Sequence, residues 1–187
     1  MTKVLLAAVA AMLLAASPGV RADEYQETIE VFRKAVETRG LFDNAYGYAV
    51  FPTIGKGGIG VGGAYGPGRV YEKGKHIGDT SMSQLSIGFQ LGAQGFSQII
   101  FFQDQRALKE FTSGNFEFGA EASAVAITAA AGASASTTGS SAGASAGRHD
   151  AKAVGKYHKG MATFTVAKGG LMYQATVSGQ KFSYKPR

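Results

Sequence analysis

The chain has 187 residues, and its 19 Lys and Arg against 13 Asp and Glu give a formal net charge of +6. It contains no cysteine, which excludes disulfides, thiolate metal ligands and a lipid attached to a cysteine after an export signal. The length is enough for one domain with its own apolar core, and the basic balance favours an anionic partner.

The first 22 residues have the pattern of a secretory signal peptide. Lys3 supplies the positive start, residues 4–16 are an apolar stretch, and Val20-Arg21-Ala22 resembles a cleavage site. Beyond this leader no apolar run reaches the ~18 residues of a membrane-spanning helix. We therefore expect one exported domain over residues 23–187, in the periplasm, at the outer membrane or outside the cell. In that location we expect an anionic surface to be phospholipid, lipopolysaccharide or a host polyanion rather than nucleic acid.

The segment from Asp23 to Arg39 predicts the first helix. One apolar stripe recurs there at helical spacing, and we expect it to pack on the protein's own sheet: Tyr25, Ile29, Phe32 and Val36. Gly40 follows as a residue type that commonly ends helices.

Glycine makes up eight of the fourteen residues from Gly55 to Gly68. The bulky residues Ile59, Val61 and Tyr65 alternate there with small ones, which predicts a single strand with one bulky face and one bare face. A bare face lets another backbone or a ligand approach closely. We therefore expect structural roles for the glycines of this tract: Gly55, Gly57, Gly58, Gly60, Gly62 and Gly63.

The middle of the chain predicts two strands and a short helix. Residues 85–91 alternate apolar with small or polar side chains, as in a half-buried strand, and residues 99–102 form the continuous apolar run of a fully buried strand. Asp104 is placed to cap a helix through Phe111, and Gly114 follows the end of that helix.

The remainder of the chain predicts short strands around a low-complexity segment. Strands are expected from Phe116, at Val125 and Ile127, over residues 161–167 and 171–177, and at Phe182. Residues 132–147 consist of Ala, Gly, Ser and Thr, which predicts a mobile loop. Sequential hairpins favour antiparallel pairing. The expected fold class is therefore α+β, a curved antiparallel sheet or partly closed barrel with an N-terminal helix and a short mid-chain helix.

Several segments, in order along the chain, resemble the SYLF domain family: Ala45–Pro52, Ser86–Gln94, Ala107–Phe111, Phe118–Ser123, Gly170–Tyr173 and Val177–Gly179. The resemblance covers nearly all of the chain after the leader. It implies a lipid-binding module, described in fungi as actin-binding. The chain differs from many SYLF sequences in having no tryptophan and a longer Ala/Ser/Gly insertion.

Three patterns that suggest catalysis lack the structural setting that the chemistry requires. The G-x-G-x-x-G match at Gly58–Gly63 lies within a strand pattern and precedes Pro67, whereas a dinucleotide site needs a helix there. The G-x-S-x-G matches around Ser141 and Ser145 arise in low-complexity sequence, without a strand–turn–helix. His149, His158 and Asp150 could serve as triad partners only by residue type, because they lack the chain order and long separations of a hydrolase triad. The three histidines, His76, His149 and His158, do not have the spacing of metal ligands. We expect no enzyme, cofactor or metal, and a serine hydrolase is the least favoured alternative.

Two groups of basic residues are candidate sites for lipid or anion binding. The first is the basic segment Arg148, Lys152, Lys156 and Lys159, and the second surrounds the Gly-rich tract: Lys56, Arg69, Lys73 and Lys75. Exposed N–H groups of a Gly-rich turn add anion-binding capacity to the second. The competing interpretations are a solvated basic edge and a β-hairpin with a charged tip.

Charge alone does not hold a protein on a bilayer. Four basic residues contribute at most ~4 kcal/mol, an affinity of about 1 mM, so apolar contacts are also needed. The sequence therefore predicts a non-enzymatic, exported module that binds anionic phospholipid or a membrane surface. The alternative is a protein-interaction module that binds a filament or a host surface.

Overall fold

The computed structural model describes residues 19–59, 61–87, 94–127, 157–168 and 177–187. In this part of the chain the helices are α1 (Gly19–Lys34), α2 (Arg39–Asn44) and α3 (Gln105–Phe111). The strands are β1 (Gly47–Ile59), β2 (Val61–Glu72), β3 (Lys75–Ile87), β4 (Gln94–Phe102), β5 (Phe116–Glu117), β6 (Ala124–Ile127), β7 (Met161–Lys168) and β8 (Lys181–Pro186). They form one sheet in the order β5-β8-β3-β2-β1-β4-β7-β6, antiparallel except for the parallel β6–β7 pair.

The sheet curls into a half-barrel. Its two edge strands, β5 and β6, are joined by residues 118–123 alone. That connection reaches at most ~25 Å, whereas eight strands side by side in a flat sheet span ~34 Å. The edges must therefore approach each other. The predicted α+β class, a curved sheet with an N-terminal and a short mid-chain helix, is confirmed.

Both faces of β1 and β4 are buried where α1 covers the sheet. On the inner face Phe51, Ile100 and Phe182 share one apolar cluster with Leu108 and Phe111 of α3. On the outer face α1 packs its buried side chains over β1, β4 and β7, in a second cluster that contains Ile29, Phe32, Tyr48, Val50, Ile99 and Phe101. Residues 99–102 are continuously apolar because each face receives alternate residues, and the prediction of a fully buried strand is confirmed.

The first helix differs from the prediction at both ends. It begins at Gly19 and ends at Lys34, five residues before the expected end at Arg39. The buried Thr38 hydroxyl donates to the Phe32 carbonyl, and the chain turns there into α2. Tyr25, Ile29 and Phe32 are buried as predicted, but Val36 lies beyond the helix with 59% of its surface exposed.

The prediction of one strand through the Gly-rich tract is wrong. Ile59 pairs with Val61 and Gly58 with Gly62, so the tract is the end of the β1–β2 hairpin, and the two bulky residues belong to different strands. A side chain at Gly58 (φ +149°) would collide with the backbone of Gly62. The hairpin therefore needs glycine on the β1 side of its turn.

The bare face of β2 is filled by the protein itself. Gly62, Ala64, Gly66 and Gly68 point to the inner face, where a Cβ at Gly66 would lie 2.7 Å from the Thr53 carbonyl oxygen and 2.7 Å from Ile54 Cγ1. The small residues of β2 therefore allow the close approach of the neighbouring strand β1 and not of a ligand. Val61, Tyr65, Arg69 and Tyr71 of β2 face outward instead, and Val70 is the bulky residue of this strand that joins the inner cluster.

Elements near α3 follow the sequence closely. The Asp104 carboxylate accepts a hydrogen bond from the Ala107 N–H at 2.8 Å and caps α3, and Gly114 follows with φ +93°. Strand β7 also confirms the prediction over residues 161–167. The predicted mobile loop at 132–147 lies outside the described residues, as does nearly all of the strand expected at 171–177.

Candidate functional site

An open groove of about 470 Å³ lies between α1 and the outer face of β2 and β3. Helix α1 contributes side chains one turn apart, including Glu30 and Arg33, because residues three or four apart share a helix face. The sheet contributes Tyr48, Arg69, Tyr71 and His76. The volume is within the range of small-ligand sites, roughly 300–1,000 Å³.

Arg69 is the central cation of the groove. Its guanidinium carbon lies 4.2 Å from the centroid of the Tyr25 ring, a cation–π contact that joins β2 to α1. Asp79 is its cross-strand partner in the backbone register, yet within the described part of the chain Arg69 forms no ion pair. A half-buried guanidinium that has no ion-pair partner in the described part of the chain is a suitable contact for an external anion.

Arg33 provides the second guanidinium. Its Nε atom lies 3.7 Å from Glu30 Oε1, and its Cζ atom lies 4.7 Å from the centroid of the Phe42 ring. Both members of the ion pair are about half exposed. Glu30 is the acid among the described residues that line the groove, and an exposed pair of this kind is weak.

His76 connects the groove to the end of β8. Its Nε2 atom lies 3.0 Å from the Gly78 carbonyl oxygen and 3.0 Å from Asp79 Oδ1, while its Nδ1 atom lies 2.9 Å from Arg187 Nη1. Arginine can only donate, so Nδ1 accepts, and Nε2 carries the proton of a neutral ring. This hydrogen bond brings a third guanidinium, that of Arg187, beside the groove.

The phenols of Tyr48 in the groove and of Tyr25 beside it are hydrogen-bond donors at neutral pH. Burial raises the pKa of Tyr48, and burial also raises that of Tyr25 against the opposing charge of Arg69. The Tyr48 and Tyr71 rings stack with centroids 5.0 Å apart. Guanidinium and phenol donors around one open groove suit a phosphate-sized anion with an apolar neighbour.

Residues 83–186, more than half of the chain, match the family model described as "Ysc84: Las17-binding protein actin regulator". The chain belongs to this family, the SYLF domain family. Over 158 residues it is also 28% identical to "Beta cell expansion factor A" of Aeromonas veronii, a match that covers 82% of this chain. The match covers 51% of that relative, so this chain spans about half its length.

The predicted residues around the Gly-rich tract of this SYLF domain do not form one cluster. Arg69 lies in the groove, and Lys73 and Lys75 flank the β2–β3 turn at its margin. Lys73 holds its ammonium 5.2 Å from the Tyr46 ring centroid. Lys56 pairs with Ala64 near the other end of β2 and shares its inward face, so the sheet separates it from Arg69.

Of the four residues of the predicted basic segment, the structure describes Lys159. Lys159 occupies the turn before β7, and its ammonium pairs with the Glu121 carboxylate. This contact lowers the pKa of Glu121 and raises that of Lys159. Outside the described residues lie Arg148, Lys152 and Lys156, together with Ser141, Ser145, His149 and Asp150.

Sequence reasoning missed two basic residues that line the groove, Arg33 and His76, and Arg187 beside it. The one local signal was the spacing of Gln26, Glu30 and Arg33, which places a polar edge beside the apolar stripe of α1. No cluster of three or more metal-ligating side chains occurs in the part of the chain that the structure describes.

Proposed function

We propose that this SYLF domain is a non-enzymatic module that binds the anionic headgroups of phospholipids in the groove between α1 and β2–β3. Arg69 carries the proposal, because its side chain is half-buried, lies over the Tyr25 ring and forms no ion pair within the described residues. Family membership supports a lipid- or actin-related binding module at a coarser level. None of the described helices is long and apolar enough to cross a bilayer.

Vesicle flotation tests the proposal. Vesicles of phosphatidylcholine alone are compared with vesicles that also contain phosphatidylglycerol, at ~0.1 M and ~1 M salt, where the Debye length falls from ~10 to ~3 Å. We expect binding to the anionic vesicles at low salt and its loss at high salt. An absence of flotation with anionic vesicles at low salt would contradict the proposed function.

Matched charge variants locate the binding site. Arg33→Gln with Arg69→Gln removes two groove cations and should weaken binding by about 30-fold, at ~1 kcal/mol for each charge near the surface. The control, Arg106→Gln with Lys109→Gln, removes two exposed cations from α3, which packs on the other face of the sheet. Arg69→Lys keeps the charge without the planar fork and should restore part of the binding.

The basic segment provides the competing location. Lys152→Gln with Lys156→Gln removes two charges from residues outside the described part of the chain. If this variant loses binding while the groove variant binds as the wild type does, lipid binding stands and its location in the groove is wrong.

A protein partner is the second candidate function, favoured by the family description as an actin regulator. Co-sedimentation with actin filaments, with and without anionic vesicles as competitor, separates the two candidates. Export to the periplasm, the outer membrane or the medium is part of the proposal. Cell fractionation tests the location, and N-terminal sequencing tests whether the mature chain begins at Asp23.

A further inference from the structure

The far end of the β2–β3 hairpin exposes three large apolar side chains on the outer face of the sheet. Val61 and Tyr65 of β2 are 67% and 60% exposed, and Leu85 of β3 is 85% exposed. The sequence predicted Leu85 on the apolar side of a half-buried strand, and its exposure corrects that expectation. We call these three residues the outer patch.

Glycines beside the outer patch leave it uncovered. Gly63 is the cross-strand neighbour of Leu85, and Gly55 of β1 is the neighbour of Tyr65. A Cβ at Gly55 would have no atom within 4 Å. Cross-strand side chains normally cover one another, so glycine at these two positions leaves the apolar side chains projecting from the sheet.

The outer patch and the groove are parts of one surface. Tyr65 and Arg69 lie on the same side of β2, four residues apart, which corresponds to ~13 Å along the strand. Along β2 the order is therefore apolar Val61 at the start of the strand, then the phenol of Tyr65, then the guanidinium of Arg69 in the groove. The same order suits a bilayer interface, where apolar side chains contact the acyl chains, amphipathic aromatic rings lie at the headgroups and cations contact the phosphates.

We propose that the outer patch inserts into the bilayer surface while the groove contacts headgroups, with Val61 and Leu85 at the acyl boundary and Tyr65 at the level of the headgroups. This inference rests on the proposed function and specifies how the membrane is held. It supplies the apolar contribution that charge alone lacks, since three cations near a surface give only weak binding.

The size of the outer patch argues against a second copy of this chain as its occupant. Three partly exposed side chains cover a few hundred Å² at most, whereas a standard interface takes ~800 Å² from each partner. A fluid bilayer needs no matching surface, and its anionic headgroups complement Arg33 and Arg69 of the adjoining groove. The bilayer is therefore the occupant that fits both the area and the charge.

Single tryptophans test the insertion directly, because the chain contains none and the fluorescence background is free of tryptophan. Leu85→Trp should shift its emission to the blue on addition of phosphatidylglycerol-containing vesicles, and lipids brominated on the acyl chain should quench it. Lys109→Trp on α3 is the control and should show neither change. Unchanged emission of Leu85→Trp on vesicles that bind the protein would overturn the insertion.

Serine variants test the energetic contribution of the outer patch. Val61→Ser with Leu85→Ser should lower partitioning onto the same vesicles by at least tenfold. Val36→Ser is the control, because Val36 is also an exposed valine and follows the C-terminal end of α1, outside the outer patch. Val36, Val61 and Leu85 are all exposed, so these variants should fold, and circular dichroism checks that they do.

The outcomes separate the two proposals. If the wild type does not float, the proposed function fails. If the wild type floats and the Val61/Leu85 variant floats equally well, headgroup binding stands and insertion is overturned. If sedimentation velocity shows a wild-type dimer that Leu85→Ser dissociates, the outer patch is an interface between two copies and insertion is likewise overturned.

Discussion

The outer face of the sheet has a covered end and a bare end, built from the same alternation of large and small residues. At the covered end Tyr48, Val50 and Phe101 lie beneath α1 and are buried. At the bare end Val61, Tyr65 and Leu85 extend beyond the helix and are exposed. The comparison shows that a period of two identifies an apolar face, whereas the covering element decides whether that face supports the core or a partner.

The largest expected loss of stability comes from truncating a buried side chain between α1 and the sheet. Phe32 is completely buried between α1 and the sheet, so Phe32→Ala should lower the free energy of unfolding by about 3–5 kcal/mol in urea denaturation. Leu85→Ala removes a comparable apolar side chain from the bare end and should change it by less than about 0.5 kcal/mol. Equal losses for the two variants would contradict the distinction between the ends.

The glycines of the hairpin give a second contrast. Gly66→Ala places a methyl group 2.7 Å from the Thr53 carbonyl oxygen, and backbone cannot move aside as a side chain can. We expect a loss of roughly 1–3 kcal/mol. Gly55→Ala on the outer face enters open space and should be close to neutral. Thermal unfolding of the pair measures the difference, and a destabilised Gly55→Ala would show that the outer face is covered in solution.

The inner face differs from both ends of the outer face because it buries a polar pair. Gln98 and Gln180 are fully buried and exchange two hydrogen bonds, of 2.9 and 3.1 Å, between β4 and the residue before β8. Gln180→Leu leaves the Gln98 amide without this partner and should cost roughly 1–3 kcal/mol. Adding Gln98→Leu should recover part of that loss in a double-mutant cycle. Strict additivity would show that the pair does not act as a unit.

Local signals in the sequence were sufficient for elements set by neighbouring residues. Asp104 and Gly114 bound α3 as predicted, and the run at 99–102 indicated a strand buried on both faces. The reversal of the chain between β1 and β2 entered the prediction only as the competing hairpin interpretation, for a physical reason. Ile59 and Val61 keep the i, i+2 spacing of one strand while they pair across two strands, so alternation does not reveal a turn between them.

The groove was beyond local reasoning because topology assembles it. Strand β8 pairs with β3, which brings Arg187 to His76 across 111 residues of chain. Helix α1 returns over β2, which places Tyr25 on Arg69. Basic residues that are neighbours in sequence, such as Lys56 and Arg69, were grouped by the prediction but lie on opposite faces of the sheet. Clusters of charge in the sequence therefore grouped residues that the fold places on different faces of the sheet.

The smallest effect is expected at an exposed pair away from both ends of the outer face. Lys159 holds the pKa of Glu121 below its ordinary value, so the contribution of Glu121 to stability is present above its unfolded pKa and is lost as the pH falls through the lowered one. Lys159→Gln should return the carboxyl pKa toward its ordinary value, as should ~1 M salt in the wild type.

Carboxyl chemical shifts measured against pH test this titration. Vesicle binding by Lys159→Gln should equal that of the wild type, because the Lys159 charge is already matched by an acid whereas that of Arg69 is unpaired within the described residues. Weaker binding by Lys159→Gln than by Arg69→Gln would place the membrane contact on the basic segment and contradict the groove.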